Sequence, residues 1–410
     1  MDTLKVLISA YSCLPGMGSE PGVGWNTMRE LVKHHKVWVI TRNDNRSSIE
    51  TELASNPVPG LSFIYCDLPH WIFWTRSGQQ LHYYLWQLVA YFFVRRLHQD
   101  IRFDLVHHIT YVKYWSPSFL SLLPIPFIWG PVGGAESTPK AFWQDFSFRG
   151  KAYEMARDVA RWFGERDPFV RATARRSVLA RATTEDTAQR LRLLGARNVE
   201  VFSETGLSQT EIAHLAQYQA PKNGPVRFIS MGRLLHWKGF HLGLQAFALA
   251  ALPDAEYWIC GDGPERDRLQ ALAETLNIAH QIKFWGRLPR DLTLEKLGES
   301  HILLHPSLHD SGGWVCLEAM AVGRPAVCLN LGGPASQVTE ETGFKVPAEK
   351  PEQAICDLAT AMVHLANAPD LRLKMGLVGQ RRVREEFSWE TKGQRLAQLY
   401  VQLLEAHKSA

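Results

Sequence analysis

Two carboxylates eight positions apart, Asp310 and Glu318, bracket a Gly-Gly turn in the segment Asp310-Ser-Gly-Gly-Trp-Val-Cys-Leu-Glu318. A strand-like apolar run over 302–305 leads into the turn, and a helical pattern leaves it at about Trp314. Gly312 and Gly313 would then present backbone N–H groups at a helix N-terminus, where phosphate and sugar oxygens are held well. Farther upstream, Met231-Gly-Arg-Leu-Leu-His-Trp-Lys-Gly239 sets Arg233 and Lys238 five apart on a loop bounded by glycines. A planar guanidinium fork and an ammonium point charge so placed can meet one diphosphate. The same spacing is equally compatible with two surface ion pairs. Facing one crevice, these residues would grip an anion and a polyol together, with two fixed cations doing the work of a magnesium ion.

Other segments carry weaker signals. Gly261-Asp-Gly-Pro264 reads as an ordinary turn after a strand. Phe284-Trp-Gly-Arg-Leu288 ends another strand, where backbone groups could meet a planar base. In the N-terminal half, Pro15-Gly-Met-Gly-Ser-Glu-Pro-Gly-Val-Gly24 is read as a loop over 16–24 entering a helix over 23–34. Gly22 and Gly24 could lay their backbone against a sugar or phosphate, and Glu20 could anchor a hydroxyl. The segment is not a Gly-x-Gly-x-x-Gly, and no carboxylate ends the second strand at Thr41-Arg42, which argues against nicotinamide dinucleotide binding. His107 and His108 end a strand whose successive side chains face opposite ways, so one of them is expected to point to the ligand edge of the sheet. A core histidine is an equal alternative there. The loop Trp129-Gly-Pro-Val-Gly-Gly-Ala-Glu136 brings Glu136 to the same edge.

These residues need a scaffold, and 410 residues exceed the size at which one core keeps growing. Apolar runs at 5–10, 37–41, 62–66, 105–109 and 127–129, separated by helical patterns, predict a doubly wound parallel α/β sheet. The rhythm restarts at 226–231, 256–260, 282–285, 302–305 and 326–329, which predicts a second Rossmann-like domain. The expected division is a first domain at 1–208, a linker at 209–224, a second domain at 225–388 and a final helix within 389–410. A hydrophobic content of 46% and a charged content of 21% are those of a globular protein, and a net charge of +4 is too mild for a nucleic-acid partner. Lys140 to Arg197 holds 13 basic and 7 acidic residues, which suits a solvated helical surface or a face turned to anionic lipid. Pro69 to Leu97 carries Trp71, Phe73, Trp74, Tyr83, Tyr84, Trp86, Tyr91, Phe92 and Phe93 ahead of Arg95 and Arg96. That stretch fits either a helix touching a membrane interface or a helix packed on the core.

Six scattered cysteines without a Cys-x-x-Cys pair argue against zinc and against a disulfide framework, and point to a reducing cytoplasm. The opening residues Met1 to Ser9 are too short and wrongly charged for a signal peptide, and no 18 uninterrupted apolar residues occur. The expected location is the cytoplasm, joined by the inner face of the membrane if the aromatic segment docks there.

Taken in order, Gly232-Arg233 with Lys238-Gly239, Gly261-Asp-Gly-Pro264, Phe284-x-Gly286, Asp310 with Glu318-Ala-Met-Ala, Gly323-Arg-Pro325 and the late Phe387-Ser-Trp389 resemble glycosyltransferase family 4, retaining enzymes of the GT-B fold. The resemblance covers the C-terminal half; the N-terminal half shares only the alternating units and the glycine-rich first loop. It implies two Rossmann-like domains facing a central cleft, an acceptor domain first and a nucleotide-sugar domain second, with the last helix returning toward the first. Arg233 and Lys238 would lie on the diphosphate, Glu318 on the ribose, Asp310 with Gly312 and Gly313 on the sugar hydroxyls, and Arg287 in the same donor-binding set. Gly22 and Gly24 would close over the donor from the other side. The implied catalytic set is Asp310, Arg233, Lys238 and His108, with no metal and no cofactor, and a UDP-sugar as the favoured substrate. Two departures stand out: Asp310 is one methylene shorter than the usual Glu, and Gly312 replaces an aromatic. The histidine that many members carry after the strand at 126–129 is absent, which leaves His108 or Glu136 in its place.

The resulting expectation is transfer of a hexose from a nucleotide diphosphate sugar to a lipid, a lipid-linked saccharide or another hydrophobic acceptor. A nucleotide-sugar epimerase and a non-enzymatic sugar-nucleotide or membrane-binding protein are the alternatives.

Overall fold

The computed structural model describes residues 3–68, 79–111 and 113–409. The chain divides into two compact units, one of Met1–Ala135, Arg157–Thr205 and Trp389–Ala410, the other of Glu136–Ala156 and Gly206–Ser388.

The first unit is built on seven strands, β1 (Lys5–Ala10), β2 (Lys36–Thr41), β3 (Leu61–Tyr65), β4 (Leu105–Thr110), β5 (Phe127–Val132), β6 (Ser177–Ala182) and β7 (Val199–Val201). Their order is β3-β2-β1-β4-β5-β6-β7, and every recorded pairing is parallel. The second unit has β8 (Val226–Met231), β9 (Ala255–Cys260), β10 (Ile282–Gly286), β11 (Ile302–His305), β12 (Ala326–Leu329) and β13 (Gly343–Val346), in the order β10-β9-β8-β11-β12-β13. In each sheet the order reverses once, between β1 and β4 and between β8 and β11. Loops leaving the C-terminal ends of the strands on either side of such a reversal are where open parallel sheets place their ligands.

The strands expected from sequence are present because a parallel strand covered on both faces reads as a nearly continuous apolar run. The ones not expected lack that signature: β6 carries Arg181, β7 is three residues long, and β13 is an edge strand reading Gly-Phe-Lys-Val.

Alternation along β1 shows how the first core is divided. Leu7 joins Tyr83, Trp86, Val106, Phe127 and Trp129 on one side, while Val6 and Ile8 join Trp25, Met28 and Val39 on the other. The last helix, Trp389–Ser409, completes that second side with Leu396, Ala397, Tyr400 and Leu404. Tyr400 also settles His107: its Oη lies 2.6 Å from His107 Nδ1, while Nε2 donates to the Gly130 carbonyl. Burial, with Arg181 nearby, pushes the His107 imidazole down to about 3, so the ring is neutral with its proton on Nε2.

Three local expectations are revised. The first helix runs over Ser19–Leu31, so Gly22 and Gly24 lie inside it and not on a loop. The span expected as a linker contains the helix Gln209–Leu215, opened by a capping box of Ser208 and Glu211 and seated by buried Ile212 and Leu215. Of the aromatic stretch, Trp71, Phe73 and Trp74 lie outside the described residues. The helix Gln79–Ile101 turns Tyr83, Trp86, Ala90 and Val94 into the core and leaves Phe92 and Phe93 exposed. Among the described residues no helix is long and apolar enough to cross a membrane.

Tyr400→Phe would leave His107 Nδ1 buried without a donor. The expected cost is about 1–3 kcal/mol of stability, read as a lower chemical-denaturation midpoint with an unchanged slope; an unshifted midpoint would show that the last helix holds by apolar contact alone.

Candidate functional site

At the order reversal of the second sheet the loops after β8 and β11 meet. Gly232 donates its N–H to the Cys260 carbonyl at 2.9 Å, which turns the chain out of β8 at Arg233. A 3-10 turn over His236–Lys238 follows and ends at Gly239, φ +67°. A Cβ at Gly239 would lie 1.8 Å from the Pro306 carbonyl oxygen, so only glycine lets the two loops approach this closely. Leu308 N–H donates to the Trp237 carbonyl at 2.8 Å and laces them together.

That lacing delivers the central contact. Lys238 Nζ lies 2.6 Å from Asp310 Oδ2, and His305 Nε2, at the end of β11, lies 3.3 Å from the same oxygen. The other oxygen, Oδ1, accepts the N–H groups of Gly312 at 3.2 Å and Gly313 at 3.1 Å. Burial pushes the Asp310 carboxyl up, but Lys238 and His305 outweigh it and hold the group well below the ordinary carboxylate range. Asp310 is therefore ionised, and both of its oxygens are engaged from within the protein. The Gly312 and Gly313 N–H groups, expected to face a ligand, are turned onto Asp310. The reason lies in the short side chain, which folds back over its own loop. Gly313 itself, at φ +62°, begins the helix Trp314–Val322, and the Gly312 carbonyl accepts from Gln337 Nε2.

Glu318 lies in that helix, buried, with Arg290 Nη1 2.6 Å from its Oε1. Burial raises its pKa and Arg290 offsets part of the rise. Arg233 and Arg287 follow β8 and β10 directly and are exposed. Neither makes an ion pair or a side-chain hydrogen bond among the described residues. The second unit thus joins Lys238, Asp310, Gly312 and Gly313 in direct contact, with Glu318 farther along the same helix and Arg233 and Arg287 at neighbouring strand ends.

The remaining expected residues fare differently. His108 has no solvent exposure: Nε2 donates to the Thr110 carbonyl at 3.0 Å, Tyr83 Oη lies 3.3 Å away, and burial pushes the ring down to about 4. It is a core histidine, because a parallel sheet covered on both faces gives neither strand neighbour an open side. Gly22 and Gly24 serve packing. A Cβ there would lie 2.1 Å from the Met17 carbonyl oxygen and 2.7 Å from that of Ser12, so both glycines let the first helix rest on its own preceding loop. Glu20 accepts the Tyr111 N–H, and Glu136 is buried.

Sequence reasoning missed several neighbours of the site. His305 stands in the strand leading to Asp310, and Arg290 three residues after Arg287. Glu154 gave no signal: it reaches His236 at 3.1 Å and His309 at 3.5 Å from a helix far away in the chain. Its two partners flank Lys238 and Asp310 in sequence. Trp237 stacks between Tyr153 and His309, with ring centroids 5.0 and 5.1 Å away.

The acid branch of stability tests this electrostatic reading. Asp310 is depressed when folded, so its contribution is present above its unfolded value, about 4, and is lost as pH falls through the lower folded value. The melting-temperature gap between wild type and Asp310→Asn should be widest near neutral pH and close below about pH 4. Glu318 is raised, so its term has the opposite sign: stability is present at low pH and lost as pH rises through the raised value. A gap between wild type and Asp310→Asn that is independent of pH would refute the ion-pair assignment.

Residues 214–376 match the family model of glycosyl transferases group 1. The chain is 31% identical over 224 residues to the lipopolysaccharide core biosynthesis glycosyltransferase LpsE of Rhizobium meliloti, a match covering 54% of this chain and 62% of that relative. The chain thus spans about three fifths of that relative's length. Among solved structures it superposes on sucrose-phosphate synthase from Thermosynechococcus elongatus with a TM-score of 0.66 at 19% identity, covering 98% of this chain and 100% of that one. It superposes on Anabaena HepE in complex with UDP with a TM-score of 0.61 at 16% identity, covering 98% and 100%. The two doubly wound parallel sheets are those of the GT-B glycosyltransferase fold.

Proposed function

We propose that this protein is a retaining glycosyltransferase that moves a hexose from a nucleotide diphosphate sugar to a lipid or lipid-linked saccharide. The observation that carries the reading is the Lys238–Asp310 pair at the strand-order reversal of the second sheet, inside the stretch that matches the group 1 transferases. An ammonium has three N–H donors. Asp310 fixes its position and takes one direction, and the others are available to a diphosphate. Arg233, exposed at the end of β8, adds a planar fork to the same anion. Together they offset the charge that builds on the leaving nucleotide, so no step requires a metal ion.

Glu318, paired with Arg290, accepts from ribose hydroxyls, and Arg287 lies beside the base. Asp310 acts as a positioning group that holds Lys238 and the Gly-Gly turn. The departing phosphate oxygen takes the proton from the acceptor hydroxyl on the face where the bond breaks, which retains the anomeric configuration. UDP is the favoured nucleotide, in keeping with the UDP complex of HepE. A lipid-linked acceptor fits the relation to LpsE, whose name places it in lipopolysaccharide core biosynthesis. The work would be done in the cytoplasm at the inner face of the membrane. Neither epimerisation nor binding without turnover is favoured, since the matched family and relative are transferases.

The test is incubation with UDP-, GDP- and ADP-sugars and cell lipids, with products read by mass spectrometry. No glycosylated lipid and no nucleotide release from a folded sample would end the proposal. Lys238→Ala should weaken donor use by about 1.5–3 kcal/mol, the value of a hydrogen bond to a charged group. Asp310→Glu should slow all accepted sugars alike; a changed order of preference would instead make Asp310 a reader of a sugar hydroxyl.

A further inference from the structure

The helix Phe148–Gly164 is amphipathic with its polarity reversed. Residues on its inward line are glycine or charged. Gly150 packs against the His236 ring, where a Cβ would lie 3.2 Å from Cδ2, and Glu154 reaches His236. Arg157 and Arg161 donate to the Gly134 carbonyl, and Gly164 lies against Trp115. The apolar residues point away. Phe148, Met155, Val159, Trp162 and Phe163 are between 51% and 84% exposed. At 3.6 residues per turn they fall in one stripe about 100° wide. A helix that turns Glu154, Arg157 and Arg161 inward and shows its large apolar side chains has its solvent on the wrong side for water alone.

Basic residues border the stripe. Arg149 and Lys151 flank its start, and Arg166 closes its end with its guanidinium 3.8 Å over the Trp162 ring. Arg171, Arg175 and Arg176 continue, exposed, along the next helix, Pro168–Arg176. The acids in between are engaged. Asp158 faces Arg161 at 3.6 Å, Glu165 takes the Tyr114 hydroxyl and Arg190, and Asp167 caps the next helix and takes the Tyr84 hydroxyl. What remains outward is apolar with a positive border.

We propose that this helix is a docking surface for an anionic phospholipid bilayer, lying in the interface with Phe148, Met155, Val159, Trp162 and Phe163 among the acyl chains and the bordering cations on the headgroups. A convex apolar stripe with tryptophan and a cationic border fits a deformable anionic surface. The inference goes with a lipid acceptor but rests on no step of the transfer reaction, since docking is read with no nucleotide sugar present.

The experiment is cosedimentation of the full chain with vesicles of phosphatidylcholine alone or with phosphatidylglycerol, at low and high salt. Wild type should bind the mixed vesicles and weaken with salt. Met155→Gln/Trp162→Gln/Phe163→Gln should lower binding at least tenfold, with an unchanged circular dichroism spectrum and melting temperature. A second variant, Arg149→Gln/Lys151→Gln/Arg166→Gln, should weaken the salt dependence. Wild type that ignores anionic vesicles, or a triple apolar variant that binds as wild type does, overturns the proposal. A variant that loses only self-association in size-exclusion chromatography does so too, and assigns the stripe to a second copy of the chain. Nucleotide release from the donor, measured without lipid, reports separately on the transferase reading.

Discussion

A carboxylate withdrawn from water must find its compensation close by, and Asp310 finds all of it within its own unit. Lys238 and His305 lie against one oxygen, and two successive backbone N–H groups meet the other. Removing either class of partner would leave a half-buried charge short of compensation, which is costlier than the pair is worth when intact. The arrangement therefore ties three things together: the ammonium after β8, the turn after β11, and the start of the helix that carries Glu318. The geometry of the site depends on this one ionised group.

The surroundings explain why that group can be placed so closely. Gly239 permits the two loops to touch through their backbones, and the Trp237 carbonyl fixes their register. Behind them the Glu154 carboxylate reaches histidines from both loops, and a three-ring stack of Tyr153, Trp237 and His309 covers the junction. Fixed charges are useful in transfer chemistry when they need not rearrange as the bond breaks. A loop pair held by backbone contacts, ion pairs and stacked rings has that property.

How much of this could be read from the chain follows from the range of each interaction. Buried parallel strands announce themselves locally, which is why β1 and β8 were legible and the three-residue β7 was not. The spacings around Lys238 and Asp310 marked the right loops, but not that the glycine N–H groups turn inward onto Asp310, since that depends on the reach of a side chain. His108 looked available because strand neighbours alternate; layers on both faces of the sheet made both histidines internal. Glu154 was invisible because its partners lie in a distant part of the chain. In the helix Phe148–Gly164 the pattern reveals that one face is apolar, and only the fold reveals that this face is outside.

The last helix has a consequence for biosynthesis. Its Tyr400 and Leu404 fill the first unit's core, while every residue of the second unit precedes Trp389. On a ribosome releasing chain from the N-terminus, the unit begun first is the one finished last. Strands β1 to β7 must wait, with one sheet face covered by the first helix but lacking the last, through the synthesis of a whole second unit. A nascent chain in that condition leaves the apolar surface meant for Tyr400 and Leu404 open for many seconds at ordinary elongation rates.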